Sequence, residues 1–270
     1  WLRARFFCCA NRDLRAPDRL CWLQAFRGRV LAYGSLMPSL SPERFAAALD
    51  STNLRLDATA ADIEALCQEA VANRFACVMI YPGSVRLAAQ VLAGSRMNIG
   101  TVIGFPSGRF SVAAKVAEIA QMALAGAHEV DVVMNYAALR DGAETEVATE
   151  LRDVVTRAHE CGLRVKIITE NCYLTEAQRL TALRLCEDAG ADFIKTSTGF
   201  GSSGAKLDDI RLWAKNRRGD IRLKAAGGVK TLADALALLD AGAERIGTSN
   251  AAALLAELRG EKASGPVAGY

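Results

Sequence analysis

The sequence predicts an α/β protein of the (β/α)8 class, a TIM barrel, in a single domain with an extra N-terminal helix. Three observations carry the prediction. After Met37 one pattern recurs: a short apolar or β-branched run, a turn of small residues, then an Ala/Leu-rich amphipathic stretch. Eight such units fill about 215 residues, the usual size of a closed barrel. An open doubly wound sheet usually shows GxGxxG after its first strand, and none follows strand one here.

The elements follow in order. Ser41 caps a short leading helix over 42–48 that has Pro42 at its first position. Strand one, 49–52, is brief and polar. The helix over 60–72 has Thr59 as its cap, with Asp57 the other candidate. A strand over 76–81 precedes a helix over 83–93, and a strand over 99–105 precedes one over 112–125. That helix stops at Ala125-Gly126, a step suited to a left-handed C-terminus. Strand 129–134 is followed by helix 144–161, which ends on Cys161-Gly162. Strand 164–169 is followed by helix 176–189, which ends on Ala189-Gly190. Strand 192–197 leads to helix 207–216, and strand 221–225 to helix 232–241 with Ala241-Gly242 behind it. Strand 245–248 and helix 251–258 close the series. No linker-like stretch interrupts it, so residues 37–260 read as one barrel and residues 261–270 as a flexible tail.

Composition narrows the function. About half of the 270 residues are hydrophobic, as in ordinary globular proteins, and no apolar stretch approaches the roughly 18 residues of a membrane span. The net charge of +3 misleads. Residues 1–36 hold seven arginines against Asp13 and Asp18, so the remaining chain is slightly acidic and makes no electrostatic case for nucleic acid. That Arg-rich segment reads as a leader outside the fold, with Met37 the natural start. The eight cysteines form no CxxC, and His128 and His159 have no metal-ligand spacing. Reduced thiols in a cytoplasmic protein are expected, with Cys67, Cys77 and Cys186 as core residues, and no metal or cofactor site.

Lys195 is the oddest residue on this frame. It ends the buried run Phe193-Ile194-Lys195, ahead of Thr196-Ser197-Thr198-Gly199. An ammonium there is costly to desolvate. A neutral lysine is a nucleophile suited to Schiff bases, and a snorkelling or salt-bridged lysine is the plain alternative. With a two-residue strand period, inward-facing charges would bring Asp131, Lys166, Lys195 and Lys224 together. Val130, Val132, Val165, Ile167, Ile194 and Leu223 would then meet the helices. The opposite parity would put charges under the helix layer, the driest place available. Neighbouring cations favour a neutral Lys195, and Asp131 with Lys224 could relay protons. A buried ion-pair network without chemistry is the other reading. Glycine turns at Gly227-Gly228 and at Gly247-Thr248-Ser249-Asn250, with Gly199 nearby, would suit a phosphate after strands seven and eight.

Several of these runs resemble the signatures of the deoxyribose-phosphate aldolases. They are Phe193-Ile194-Lys195-Thr196-Ser197-Thr198-Gly199-Phe200, Val130-Asp131-Val132-Val133, Lys224-Ala225-Ala226-Gly227-Gly228-Val229 and Arg245-Ile246-Gly247-Thr248-Ser249. Leu49-Asp50-Ser51-Thr52, Phe105-Pro106-Ser107-Gly108 and Lys166-Ile167-Ile168-Thr169-Glu170 also match, in order, from about Asp50 to about Leu258. The resemblance implies a metal-independent class I aldolase that cleaves 2-deoxy-D-ribose 5-phosphate to acetaldehyde and D-glyceraldehyde 3-phosphate, in deoxyribonucleotide breakdown. It implies Lys195 as the Schiff-base lysine and Asp131 with Lys224 as the proton relay. Asp50, Thr52 and Lys166 would meet the sugar or order the relay, and Gly199, Gly227, Gly228, Ser249 and Asn250 the phosphate. Asn250 stands where the family often has serine, and Thr169 where an apolar residue is more usual. Tyr270, ending a tail of roughly 30 Å reach, is a candidate for proton transfer at the enamine. The rivals are another class I aldolase on a different phosphorylated aldehyde or ketone, and a non-catalytic sugar-phosphate-binding barrel. A homodimer is left open.

Overall fold

The computed structural model describes residues 40–261. The leader, most of the tail and Tyr270 lie outside the described residues. Eight parallel strands close in sequence order into a barrel. They are β1 (Leu49–Asn53), β2 (Cys77–Ile80), β3 (Asn98–Ile103), β4 (Glu129–Val133), β5 (Arg164–Ile168), β6 (Phe193–Lys195), β7 (Arg222–Ala226) and β8 (Arg245–Thr248). The ring closes where Asp50 of β1 stands beside Gly247 of β8.

The helices alternate with the strands as the periodicity requires. They are α1 (Pro42–Ala46), α2 (Ala60–Asn73), α3 (Val85–Val91), α4 (Val112–Ala125), α5 (Tyr136–Arg140), α6 (Glu144–Glu160), α7 (Glu176–Ala189), α8 (Leu207–Asn216), α9 (Leu232–Asp240) and α10 (Ala251–Leu258). None of them is long and apolar enough to cross a membrane. Ser41 accepts from the Arg44 amide, and Thr59 with Asp62 forms a reciprocal capping box that ties down two orphan amides of α2. Asp57 is not the cap: it pairs with Arg55 instead.

Three elements differ from expectation. The helix predicted over 83–93 begins as a 3₁₀ turn, Pro82–Ser84, before α3. The five-residue α5, capped by Asn135, is too short to leave a periodic signal. β6 ends at Lys195, short of the 197 predicted, although Thr196 still donates to the Lys224 carbonyl.

Strand parity sorts the interior into two cores. Val130, Val132, Val165, Ile167, Ile194 and Leu223 face the helices and join one large apolar cluster. A separate small cluster lies apart from it, made of Leu54 just past β1, Cys77 and Met79 of β2, and Val102 of β3. Cys67, Cys77 and Cys186 are buried, and the described cysteines are free thiols. One buried charge pair does lie under the helix layer. Lys115 of α4 bonds Glu150 of α6 and donates to the carbonyls of Gly108 (2.6 Å) and Val133 (2.7 Å). Full satisfaction of the ammonium makes that dry position tolerable.

Candidate active site

Adjacent strands bring the predicted residues to one level of the barrel. Asp131 of β4 is registered beside Lys166 of β5, and Lys195 of β6 beside Lys224 of β7. All four side chains point inward, and Asp131 is the hub. Its Oδ1 accepts from Lys166 Nζ at 2.7 Å. Its Oδ2 accepts from Lys195 Nζ at 2.7 Å and from Lys224 Nζ at 2.8 Å. Lys224 also donates to Asp50 Oδ2 at 2.5 Å, which carries the network across the closure of the barrel to β1. Asp50 and Asp131 are wholly buried.

Lys195 and Lys166 do not share one electrostatic fate. Burial is the largest influence on Lys195 and favours its neutral form. Asp131 opposes that, Lys224 and Lys166 reinforce it, and the ammonium is brought down to about 8. Burial acts the same way on Lys166, but Asp131, Glu129 and Asp50 outweigh it and hold the lysine firmly charged. For Asp131 burial favours the acid, yet Lys166, Lys195 and Lys224 together keep the carboxyl well below the usual range. Lys224, Arg245 and Lys166 do the same for Asp50. The outcome is one lysine able to lose its proton near neutrality, beside fixed carboxylates and at least one fixed cation.

Two participants in this cluster escaped the sequence reading, Glu129 and Arg245. Lys166 Nζ is 2.6 Å from Glu129 Oε2, and Arg245 donates to Asp50 Oδ1 at 2.5 Å. Both lie on the inward parity, Glu129 two residues before Asp131 and Arg245 at the start of β8. Extending the period-two argument one step toward the strand starts would have found them. Asp50, Cys77 and Glu129 stand close enough to be considered as metal ligands. Their carboxylates are already met by Lys166, Lys224 and Arg245, a donor set that suits ion pairing and not a divalent cation.

Above this cluster, at the C-terminal ends of the strands, lie the glycine turns. Gly199 (φ +94°), Gly227 (φ +85°) and Gly228 (φ +72°) all take left-handed conformations. The turns after β6 and β7 touch: a Cβ on Gly204 would lie 2.0 Å from the Gly227 carbonyl oxygen, so only glycine fits. The Ala205 amide donates to that same oxygen at 3.0 Å. Ser249 and Asn250 form the step from β8 into α10, where the Asn250 amide donates to Thr248 Oγ1 at 3.0 Å. Ser197 Oγ and Asn250 Oδ1 are buried without a hydrogen-bond partner. Thr52 is inward on β1, but its hydroxyl bonds the Asp50 carbonyl.

A family model for the DeoC/LacD family aldolases matches residues 44–260, nearly the whole barrel and both turn regions. The chain belongs to this aldolase family. Its relatives include a protein named deoxyribose-phosphate aldolase from Thermococcus gammatolerans, 45% identical over 204 residues, which cover 75% of this chain and 91% of that one. A protein of the same name from Aciduliprofundum boonei is 41% identical over 210 residues, 78% of this chain and 95% of the relative. Among solved structures, the tetrameric deoxyribose phosphate aldolase from Aeropyrum pernix superposes with a TM-score of 0.76 at 30% identity, covering 81% of this chain and 92% of that one. Family membership makes the protein an aldolase, a lyase.

Proposed function

We propose that the chain is a deoxyribose-phosphate aldolase that cleaves 2-deoxy-D-ribose 5-phosphate through a Schiff base on Lys195. The observation that carries the reading is the lowered proton affinity of Lys195 beside Asp131 and Lys224. The neutral amine adds to the C1 aldehyde of the open-chain sugar to give a carbinolamine, which loses water to form an iminium ion. Removal of the C3 hydroxyl proton then breaks the C2–C3 bond. Its electron pair moves into the iminium as an enamine, and D-glyceraldehyde 3-phosphate leaves. Protonation at C2 and hydrolysis return acetaldehyde and the free amine.

In this reading Asp131 and Lys224 hand protons on and off the carbinolamine and enamine. Asp50, Thr52 and Lys166 order the relay and the sugar. Gly199, Gly227, Gly228, Ser249 and Asn250 receive the phosphate, and the unpartnered Asn250 amide oxygen beside that turn supports a ligand there. Tyr270 is assigned to enamine proton transfer on sequence grounds alone. No cofactor or metal enters any step. A cytoplasmic location fits the free thiols and a role in deoxyribonucleotide breakdown. A homodimer is left open as the assembly; exposed Leu56 and Leu124 offer apolar surface, and light scattering of the purified chain reads the oligomeric state.

Product analysis tests the function. Incubation with 2-deoxyribose 5-phosphate should release acetaldehyde and glyceraldehyde 3-phosphate in equal amounts. Release of a different aldehyde from another phosphorylated sugar, with this substrate inert, would move the assignment to a different class I aldolase. Tight binding without turnover would make the barrel a sugar-phosphate-binding protein.

A further inference from the structure

Glu170 has no role in the chemistry above, yet its surroundings are unusual. It follows β5 in a left-handed conformation (φ +51°), one of two such non-glycine residues among those described. The other, Arg74, is a helix C-cap, a routine place for that conformation. Glu170 is buried, and its backbone strain is of a kind that persists only where the surroundings enforce it.

The surroundings do so through the turn after β6. Thr198 holds the Glu170 carboxylate by its hydroxyl, which donates to Oε2, and by its backbone amide, which is shared between Oε2 at 3.2 Å and Oε1 at 3.4 Å. The Thr198 hydroxyl in turn accepts from the Phe200 amide at 3.0 Å. Three consecutive residues, Thr198-Gly199-Phe200, are thereby referred to one carboxylate in the turn after the neighbouring strand, β5. The adjoining backbone is zipped as well, with the Thr169 amide on the Lys195 carbonyl (3.1 Å) and the Asn171 amide on the Thr196 carbonyl (2.9 Å). Farther on, the same loop passes so close to Glu170 that a Cβ on Gly201 would lie 3.0 Å from Oε1. The loop runs from 196 to 206 without helix or strand, so its shape is set by such anchors and not by its own backbone ladder.

We infer that Glu170 is a positioning residue for phosphate recognition: it fixes the Thr198–Phe200 turn so that the Gly199 backbone faces the substrate phosphate. The inference rests on the proposed aldolase reading and extends it to a residue whose hydrogen bonds go to the turn after β6 and not to Lys195, although the Lys195 charge is among those acting on its carboxyl. It separates recognition of the phosphate from the chemistry at C1. Oε2 accepts the Thr198 hydroxyl and the shorter of the two amide contacts, and a glutamine amide oxygen can accept those two bonds.

The test compares 2-deoxyribose 5-phosphate with unphosphorylated 2-deoxyribose for wild type, Glu170→Ala, Glu170→Gln and Thr198→Val. Glu170→Ala and Thr198→Val should each raise KM for the phosphorylated sugar about tenfold and leave kcat within about threefold. Neither should change kcat/KM for the unphosphorylated sugar beyond about twofold, and Glu170→Gln should restore most of the lost affinity. Equal losses on both sugars, or a Glu170→Gln variant as impaired as Glu170→Ala, would overturn the inference. Thr198→Val keeps the test decisive if Glu170→Ala folds poorly. A wild-type protein inactive on both sugars would instead count against the aldolase reading itself.

Discussion

Lys195 is asked to be neutral where Lys166 and Asp131 stay charged, and burial does most of that. Lowering its proton affinity from the usual 10.5 to about 8 has two consequences of definite sign. The rate of Schiff-base formation, followed by stopped-flow absorbance, should rise with pH and level off above about 8, as the amine becomes fully neutral. Stability should also depend on pH through this residue. Below pH 8 the lysine is protonated in both folded and unfolded chains, so the cost of burying its charge is present in full. Between 8 and 10.5 the folded form is neutral while the unfolded form still binds the proton, so stability rises with pH. Lys195→Met should therefore unfold at a higher temperature than wild type at pH 7, by the equivalent of about 3 kcal/mol. That advantage should fade by pH 10.5, and an inactive but less stable Lys195→Met protein would contradict it. Asp131→Asn is the opposite case. It leaves three clustered ammonium groups without their central carboxylate, so turnover should fall roughly 10²- to 10⁴-fold, with stability down by about 3–5 kcal/mol in denaturant titration.

At the scale of elements, the pair Lys115–Glu150 ties α4 to α6 and fastens the loop after β3 through the Gly108 carbonyl. Glu150→Gln should cost about 3–5 kcal/mol by stranding a buried ammonium, and Lys115→Met combined with Glu150→Leu should recover most of it. Urea midpoints of the three variants measure this directly. The pair also shows where sequence reading reaches its limit. Strand positions and parity were legible because alternation along Glu129–Val133 or Arg164–Ile168 has only two solutions, and the cost of dry charges chooses between them. That choice alone brings Asp131, Lys166, Lys195 and Lys224 together. Lys115 and Glu150 lie 35 residues apart on helices with no such constraint, and each reads alone as a surface charge. Glu170 was visible only as part of a motif, since its left-handed backbone and its bond to Thr198 are products of the folded loops.

For the whole molecule, closure of the barrel is what completes the site. Lys224 and Arg245 reach Asp50 only because β8 returns to β1, so residues some 170 to 200 positions apart share one ion-pair network. Its carboxylates are committed to protein cations, and EDTA should leave turnover unchanged. Loss of activity restored by a divalent metal would require a different mechanism. The most direct measurement is reductive trapping. Borohydride added with 2-deoxyribose 5-phosphate or acetaldehyde should inactivate the protein and leave one stable adduct, mapped by peptide mass spectrometry to Lys195 and absent from Lys195→Leu. An adduct on Lys166 or Lys224 with Lys195 unmodified, or turnover without any adduct, would contradict the account.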